Sequence, residues 1–349
     1  MKFNDIISQY QYLGKIYEIV ENSYPQLGKL VILETITATS NETLAVIGIS
    51  GTGKSRALQI VKTLYQDQAL LLDAITINGL EKISKKLDNN QKLLLIDDLS
   101  KGATDYAQIM TLMTLAELVY SKFVEKYTHS LELRISNFNG SAIINIQPLL
   151  YRKVLLAPEF ETDIRDKTIR YFHMSLPRET NIIPANDELN KMRRRIDFTT
   201  QVEIDTNNPL YKKIVNNFRN EHSFTRAEEH TIKLLRGIAL LDNRTETKDI
   251  DYQLLYNYSK NFQVELEITE KKALEGLRKL DINIIAILTV INSYGKVKVD
   301  ELCKIFQVRK STMYNILGEL GDYVILFQQK GLVLPTDKTK KLLKEVRIE

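Results

Sequence analysis

The sequence predicts an α/β fold: a parallel sheet with helices on both faces, then a helical stretch and a small separate C-terminal domain. Three observations predict it. Short continuous apolar runs, Leu44–Ile47, Ala69–Ile77 and Lys92–Ile96, alternate with helix-spaced segments, and strands buried on both faces read as such runs. The first run ends in a glycine-rich loop, Gly48–Ser55. From Asn208 to Leu280 the pattern is helical, and a second unit begins at Asp281.

The elements follow in order. Ser55–Tyr65 has helical spacing through Leu58, Val61, Lys62 and Tyr65. Ala103–Tyr127 reads as one long helix with an apolar face of Ile109, Leu112, Leu115, Leu118 and Val119. Leu131–Ile135 and Ser141–Gln147 flank Asn137–Gly140, a turn signal between two strand patterns. Tyr171–Leu176 reads as a last strand, closed by Pro177. Arg178–Asp205 is a connector with a basic run, Lys191–Arg195, which is a solvated stretch or a DNA contact. Ile232, Leu235, Ile238 and Ala239 mark an apolar stripe in the helical stretch. The division is 1–180 for the sheet core, 181–280 for the connector and helices, and 281–349 for the C-terminal unit.

Composition narrows the class. A chain of 349 residues, 44% of them apolar, is long enough for two or three domains with real cores. Its net charge of +4 permits a nucleic-acid partner without requiring one. A single cysteine, Cys303, excludes an intramolecular disulfide and a cysteine-based zinc site, and fits a reducing compartment as a small apolar residue. The first residues, MKFNDIISQY, are not a secretory signal, and the apolar run Ile282–Ile291 is too short to span a bilayer. The expectation is a cytoplasmic protein with no membrane partner.

The loop carries the most specific motif. Gly48, Ile49, Ser50, Gly51, Thr52, Gly53, Lys54 and Ser55 match G-x-x-x-x-G-K-[ST] in full. The glycines let backbone N–H groups wrap a phosphate, Lys54 brings a cation to the β- and γ-phosphates, and the Ser55 hydroxyl reaches Mg²⁺. The helix that follows offers its N-terminus to the anion. The ligand read from this loop is a nucleoside triphosphate, ATP, with Mg²⁺. Forty-three positions beyond Lys54, the apolar strand Leu93–Ile96 ends in Asp97 and Asp98. Two acids there are costly without a cation nearby. Asp97 is read as a ligand in the Mg²⁺ shell, and Asp98 as the group that orients or deprotonates an attacking water.

With these motifs, residues 20–280 resemble the AAA+ class of P-loop ATPases. The resemblance implies a polar sensor at the end of the strand after the acidic one. Gln147, followed by Pro148, stands there, with Asn145 as the alternative. It implies an arginine before the last core strand that reaches a neighbouring subunit's site; Arg170 and Arg165 are the candidates. It implies a helical lid with a further arginine: His230–Asp251, with Arg236, fits that place. The Asn-Gly turn before the sensor strand resembles a hairpin that some ring-forming members use on DNA. Two departures stand out: Asp98 where the class often has glutamate, which is closer to the helicase-loader branch and implies slow or partner-dependent hydrolysis, and Gln147 where it usually has asparagine.

Residues 282–349 resemble a winged helix-turn-helix. The segment carries 11 Lys/Arg against 7 Asp/Glu, a net +4 (11 − 7) that equals the charge of the whole chain. Its third helix, Lys310–Leu320, is preceded by Arg309, and such helices read DNA from their N-terminal residues. Arg309, Lys310, Ser311, Thr312, Tyr314 and Asn315 are therefore the candidate DNA contacts, with Lys330 at the tip of the wing. The expectation is an ATP-hydrolysing homo-oligomer acting on duplex DNA, similar to replication-initiator, helicase-loader and mobile-element ATPases. The alternative is an ATP-dependent regulatory switch whose winged helix binds a promoter or a partner protein.

Overall fold

The computed structural model describes residues 2–345 apart from 49, 89–90, 100–103, 129–130, 159, 174–185, 263–281 and 307. Three helices open it: α1 (Phe3–Ile7), α2 (Gln11–Ser23) and α3 (Gly28–Ala38). The α/β core runs β1 (Thr43–Ile47), α4 (Lys54–Tyr65), β2 (Ala69–Leu72), α5 (Ile77–Leu87), β3 (Gln91–Ile96), α6 (Asp105–Ser121), β4 (Val124–Thr128), β5 (Leu131–Ile135), β6 (Asn139–Ile146), α7 (Pro148–Leu156) and β7 (Ile169–Phe172). Helices α8 (Asn186–Lys191), α9 (Tyr211–Arg219), α10 (Phe224–Leu241) and α11 (Asp249–Ser259) follow.

Five strands form one parallel sheet in the order β2-β3-β6-β1-β7. Alternate residues serve opposite faces. Leu44, Val46, Leu93, Leu95, Ile143, Ile169 and Tyr171 share a core with α1–α4 and α9–α11. Ala45, Ile47, Leu94, Ile96, Ala142, Ile144, Ile146 and Phe172 pack on α5, α6 and α7. Both faces are buried, which is why these strands read as unbroken apolar runs.

Several expected boundaries differ. The strand predicted over Ala69–Ile77 ends at Leu72, because Thr76 caps a helix there: its hydroxyl accepts from the Gly79 N–H at 3.2 Å. The predicted long helix stops at Ser121. Lys122 takes the left-handed conformation at φ 64°, and Val124–Thr128 forms a strand. That strand pairs with β5, so the hairpin is β4–β5, and Asn137–Gly140 is not a hairpin turn. β5 alternates buried and exposed residues, as a strand with one wet face should, whereas β6 is buried on both faces between β1 and β3. The last core strand is Ile169–Phe172, and 174–176 lie outside the described residues.

The helices of the 181–280 stretch share a core with the N-terminal helices. α10 packs on α3, and α11 on α1. Buried charge fixes these contacts. Asp251 at the start of α11 is fully buried; it accepts from Tyr10 Oη at 2.8 Å and from both Arg244 Nη atoms at 2.7 and 2.8 Å. Glu42, just before β1, meets His230 Nδ1 at 2.9 Å and Lys233 Nζ at 3.3 Å from α10. Burial alone would raise the Glu42 carboxyl, but His230 and Lys233 beside it outweigh that and hold it low.

Arg170 lies inside β7, opposite Ala45, and is only 2% exposed. It pairs with Glu221 at 3.2 Å, and it also donates to the carbonyls of Arg165 (2.7 Å), Thr168 (2.9 Å) and Glu221 (3.2 Å). A guanidinium so enclosed cannot project to a neighbouring subunit, so the expected trans role for Arg170 is corrected to a structural one. Arg165 is half-buried and bound to the same Glu221 carbonyl at 3.0 Å.

The C-terminal unit runs α12 (Ile282–Tyr294), β8 (Val297–Lys298), α13 (Val299–Phe306), α14 (Lys310–Glu319), β9 (Val324–Phe327), β10 (Leu332–Pro335) and α15 (Asp337–Glu345). Its strands form a three-stranded antiparallel sheet in the order β8-β10-β9. α12 packs against α15, β10 and α7. Among the described residues no helix is long and apolar enough to cross a membrane.

Arg170→Met should cost about 3–5 kcal/mol, because it removes the buried cation facing Glu221. Replacing both partners with apolar residues of similar size should recover most of that loss. Urea denaturation midpoints of the single and double variants check it; a single variant within about 0.5 kcal/mol of wild type would return Arg170 to a surface role.

Candidate functional site

Parallel strands bring all their C-terminal ends to one edge of a sheet, where ligands bind in α/β folds. At that edge the ladder continues past the strands. The Gly48 N–H donates to the Ile146 carbonyl (3.2 Å), the Leu99 N–H to Asn145 (3.1 Å) and the His173 N–H to Ile47 (2.8 Å). The loop after β1, the acids after β3 and the polar end of β6 are therefore held in fixed register.

They enclose one cleft of about 460 Å³, lined by Ser50–Arg56 and Gln59 of the loop and α4, by Asp97 and Asp98, and by Asn145, Ile146 and Gln147. Ile49 lies outside the described residues. Gly51 and Gly53 adopt φ of 83° and 87°, conformations glycine adopts without strain, and Gly53 precedes the first turn of α4. Lys54 is buried, and its Nζ donates to the Gly48 carbonyl at 2.5 Å. Burial pulls its pKa down to about 8, against the opposing pull of Asp98 and Asp97. Ser55 is exposed at the start of α4.

The two sensor alternatives both arrive, each against a different carboxylate. Gln147 Nε2 donates to Asp98 Oδ2 at 3.1 Å, and Asn145 Nδ2 lies 3.5 Å from Asp97 Oδ1. Asn145 is buried, and its Oδ1 has no hydrogen-bond partner among the described residues. Gln147 also sits at the N-cap of α7, ahead of Pro148 in the first turn, where proline's missing N–H costs nothing. One wall of the cleft thus offers loop N–H groups and a lysine, and the other two carboxylates with two amides. This donor set suits a polyanion chelated to a divalent cation.

Arg236 is not brought to the cleft. It donates to the backbone carbonyls of Thr200 (3.2 Å) and Phe198, where it ties the connector to α10. The sequence reading missed three residues. Arg56 and Gln59 line the cleft from α4, and Gln59 was signalled by its place one turn after Ser55. His173 follows β7 and is 3% exposed; its Nε2 lies 2.9 Å from the Thr52 carbonyl. It was hidden by extending the last strand through it. Burial lowers its pKa to about 4, Lys54 adds to that, and the Thr52 bond opposes it.

The C-terminal candidates form a second group, on the far unit. Arg309, Lys310, Ser311, Thr312, Asn315 and Lys330 are exposed, and Tyr314 is half-buried. Lys310 is paired with Asp300 at 2.7 Å. In the basic run of the connector, Lys191, Arg193 and Arg195 are exposed, while Arg194 is turned inward onto the Leu240 and Leu241 carbonyls at the end of α10.

His173 generates a pH prediction. Its folded pKa, about 4, lies below the ordinary 6.5, so between those values the unfolded chain binds more protons. Its contribution is therefore present above pH 6.5 and is lost as pH falls toward 4, by as much as about 3 kcal/mol. His173→Gln should flatten that part of the stability curve in urea melts between these pH values. His222, also buried and held neutral, keeps its own acid sensitivity. A variant curve parallel to wild type would show that His173 titrates normally.

No protein-family model matches the chain, and no curated protein matches it.

Proposed function

We propose that this chain is an oligomeric ATPase of the AAA+ class that binds ATP with Mg²⁺, hydrolyses it, and acts on duplex DNA through a C-terminal winged helix. The observation that carries the reading is the single cleft where the Gly48–Ser55 loop, Asp97 with Asp98, and Asn145 with Gln147 converge from three adjacent strands. In this reading the loop N–H groups and Lys54 hold the phosphates. Ser55 and Asp97 hold the Mg²⁺, which would neutralise charge on the β- and γ-phosphates. Asp98 takes the water's proton or orients it, and Gln147, bonded to Asp98, fixes the carboxylate's direction. The carboxylates, the serine hydroxyl and the Asn145 oxygen, which has no partner among the described residues, fit a hard divalent ion. Helices α9–α11 take the place of the lid, without Arg236 as a phosphate contact. The assembled state belongs to the proposal through the class, and Arg170 does not supply its trans contact.

The order helix, strand, helix, helix, two-stranded hairpin, with β8 joining the hairpin, supports a winged helix at 282–345. The exposed start of α14 would then enter the major groove, with Lys330 near a phosphate. One observation favours the second reading, a switch with a protein partner: Ile325 and Phe327 on the edge strand β9 are 47% and 46% exposed, an apolar surface better suited to protein than to DNA.

Asp98→Asn should leave ATP binding nearly intact and slow hydrolysis at least tenfold, since it keeps the size and removes the proton acceptor. Steady-state turnover beside binding of a fluorescent ATP analogue checks it, and unchanged turnover would remove Asp98 from the reaction. Particle imaging with an ATP analogue, with and without duplex DNA, tests assembly; no multimer in either condition would favour the switch.

Removing Arg309 and Lys310 together should weaken duplex binding. Each lost phosphate contact should lower the slope of log K against log salt by about 0.9. Because Lys310 already pairs with Asp300, the expected drop lies between about 0.9 and about 1.8. An unchanged slope and affinity in the folded variant would favour the protein-binding reading.

A further inference from the structure

The loop's glycines make it deformable, so something must hold its peptides in one orientation. Gly51 and Gly53 have no side chain to offer and present only backbone to the cleft, and backbone N–H groups bind phosphate only when they point inward. In a trans peptide the C=O and the N–H of the next residue point in opposite directions. The direction of the Thr52 carbonyl therefore decides the direction of the Gly53 N–H.

The Thr52 carbonyl is held from behind. His173 Nε2 lies 2.9 Å from it, and both residues are buried. A carbonyl only accepts, so Nε2 carries the proton and donates. His173 is itself fixed by its backbone: its N–H donates to the Ile47 carbonyl at 2.8 Å. Its own carbonyl oxygen lies where a Cβ on Gly48 would sit, 2.4 Å from the ideal position. Any side chain at 48 would push this segment away from the loop. The first glycine of the motif and His173 thus fit one another, and the imidazole spans from the end of β7 to the loop's far arm.

We infer that His173 is the positioning residue of the phosphate loop: by donating to the Thr52 carbonyl it turns the Gly53 N–H into the cleft, toward the phosphate of a bound nucleotide. This rests on the reading of the cleft as a nucleotide site. His173 is not among the residues that line the cleft; it acts through the Thr52 peptide it holds. Burial that keeps the imidazole neutral suits this task, because a second cation beside Lys54 would repel it.

The test compares two substitutions of similar bulk in the full chain. His173→Gln keeps an N–H donor near the place of Nε2, and His173→Met has none. The readouts are the dissociation constants for a fluorescent ATP analogue and for ADP, with circular-dichroism melting to confirm folding. Glutamine should bind both nucleotides within about threefold of wild type, and methionine at least tenfold more weakly, about 1.4 kcal/mol. Equal binding by two folded variants, whether both strong or both weak, would overturn the inference, since packing and not the donor would then matter. If the methionine variant does not fold, glutamine decides alone: retained affinity supports the donor role, and a tenfold loss overturns it. Lys54→Ala, measured in parallel, separates the two readings. Undiminished binding there removes the nucleotide site itself; lost binding there with unaffected His173 variants leaves the site and removes only His173.

Discussion

The site depends on β6 lying between β1 and β3. Neighbouring parallel strands sit about 4.8 Å apart, so the loop after β1 and the acids after β3 are separated by roughly two strand spacings. β6 fills that gap with backbone that bonds both ways: Ile146 accepts from Gly48, and Asn145 accepts from Leu99. Its side chains Asn145 and Gln147 then meet Asp97 and Asp98 at hydrogen-bond distances. A strand in any other position would leave the phosphate loop and the carboxylates without a common frame. The apolar burial of β6 on both faces is what keeps it in the middle.

Charge does the corresponding work away from the cleft. Arg170 with Glu221, Glu42 with His230 and the half-buried Lys233, and Asp251 with Tyr10 and the half-buried Arg244 each centre on a buried charge and join elements distant in sequence. Such pairs add little net stability, because desolvation opposes the attraction, yet losing one partner is costly. Their effect here is orientation: they admit one seating of α9–α11 against the sheet and the N-terminal helices. Helix α7 joins the two halves of the molecule, since Gln147 in the cleft is its N-cap and it packs against α12 of the C-terminal unit.

Much of this was legible in the chain because it is local. The loop was readable since each of its residue types has a conformational or chemical reason that holds whatever surrounds it: glycine for positive φ, lysine for charge. Leu93–Asp98 was readable because two acids at the end of an apolar strand contradict burial unless a site exists. The strands of the C-terminal hairpin, Val324–Phe327 and Leu332–Pro335, flank Gln328–Gly331, which divides two apolar runs in the chain. The failures came where a short apolar run fits two structures. Val124–Thr128 continued the spacing of α6, and only its cross-strand partners at 131–135 make it a strand.

By itself the sequence determined most residues of the cleft's two walls, Arg56 and Gln59 excepted, and the type of most elements, because hydrophobic period and motif chemistry are properties of neighbours along the chain. Tertiary structure alone decided the fate of the arginines and of His173. Arg165, Arg170 and Arg236 look alike in sequence, but each binds backbone carbonyls that come from elsewhere in the fold: Glu221 for the first two, Phe198 and Thr200 for the third. His173 gains its role from Thr52, 121 residues away. Whether a charged or polar side chain reaches outward or is spent inside depends on which acceptors the packed chain leaves unsatisfied beside it. That is a property of the fold as a whole, and no spacing in the sequence encodes it.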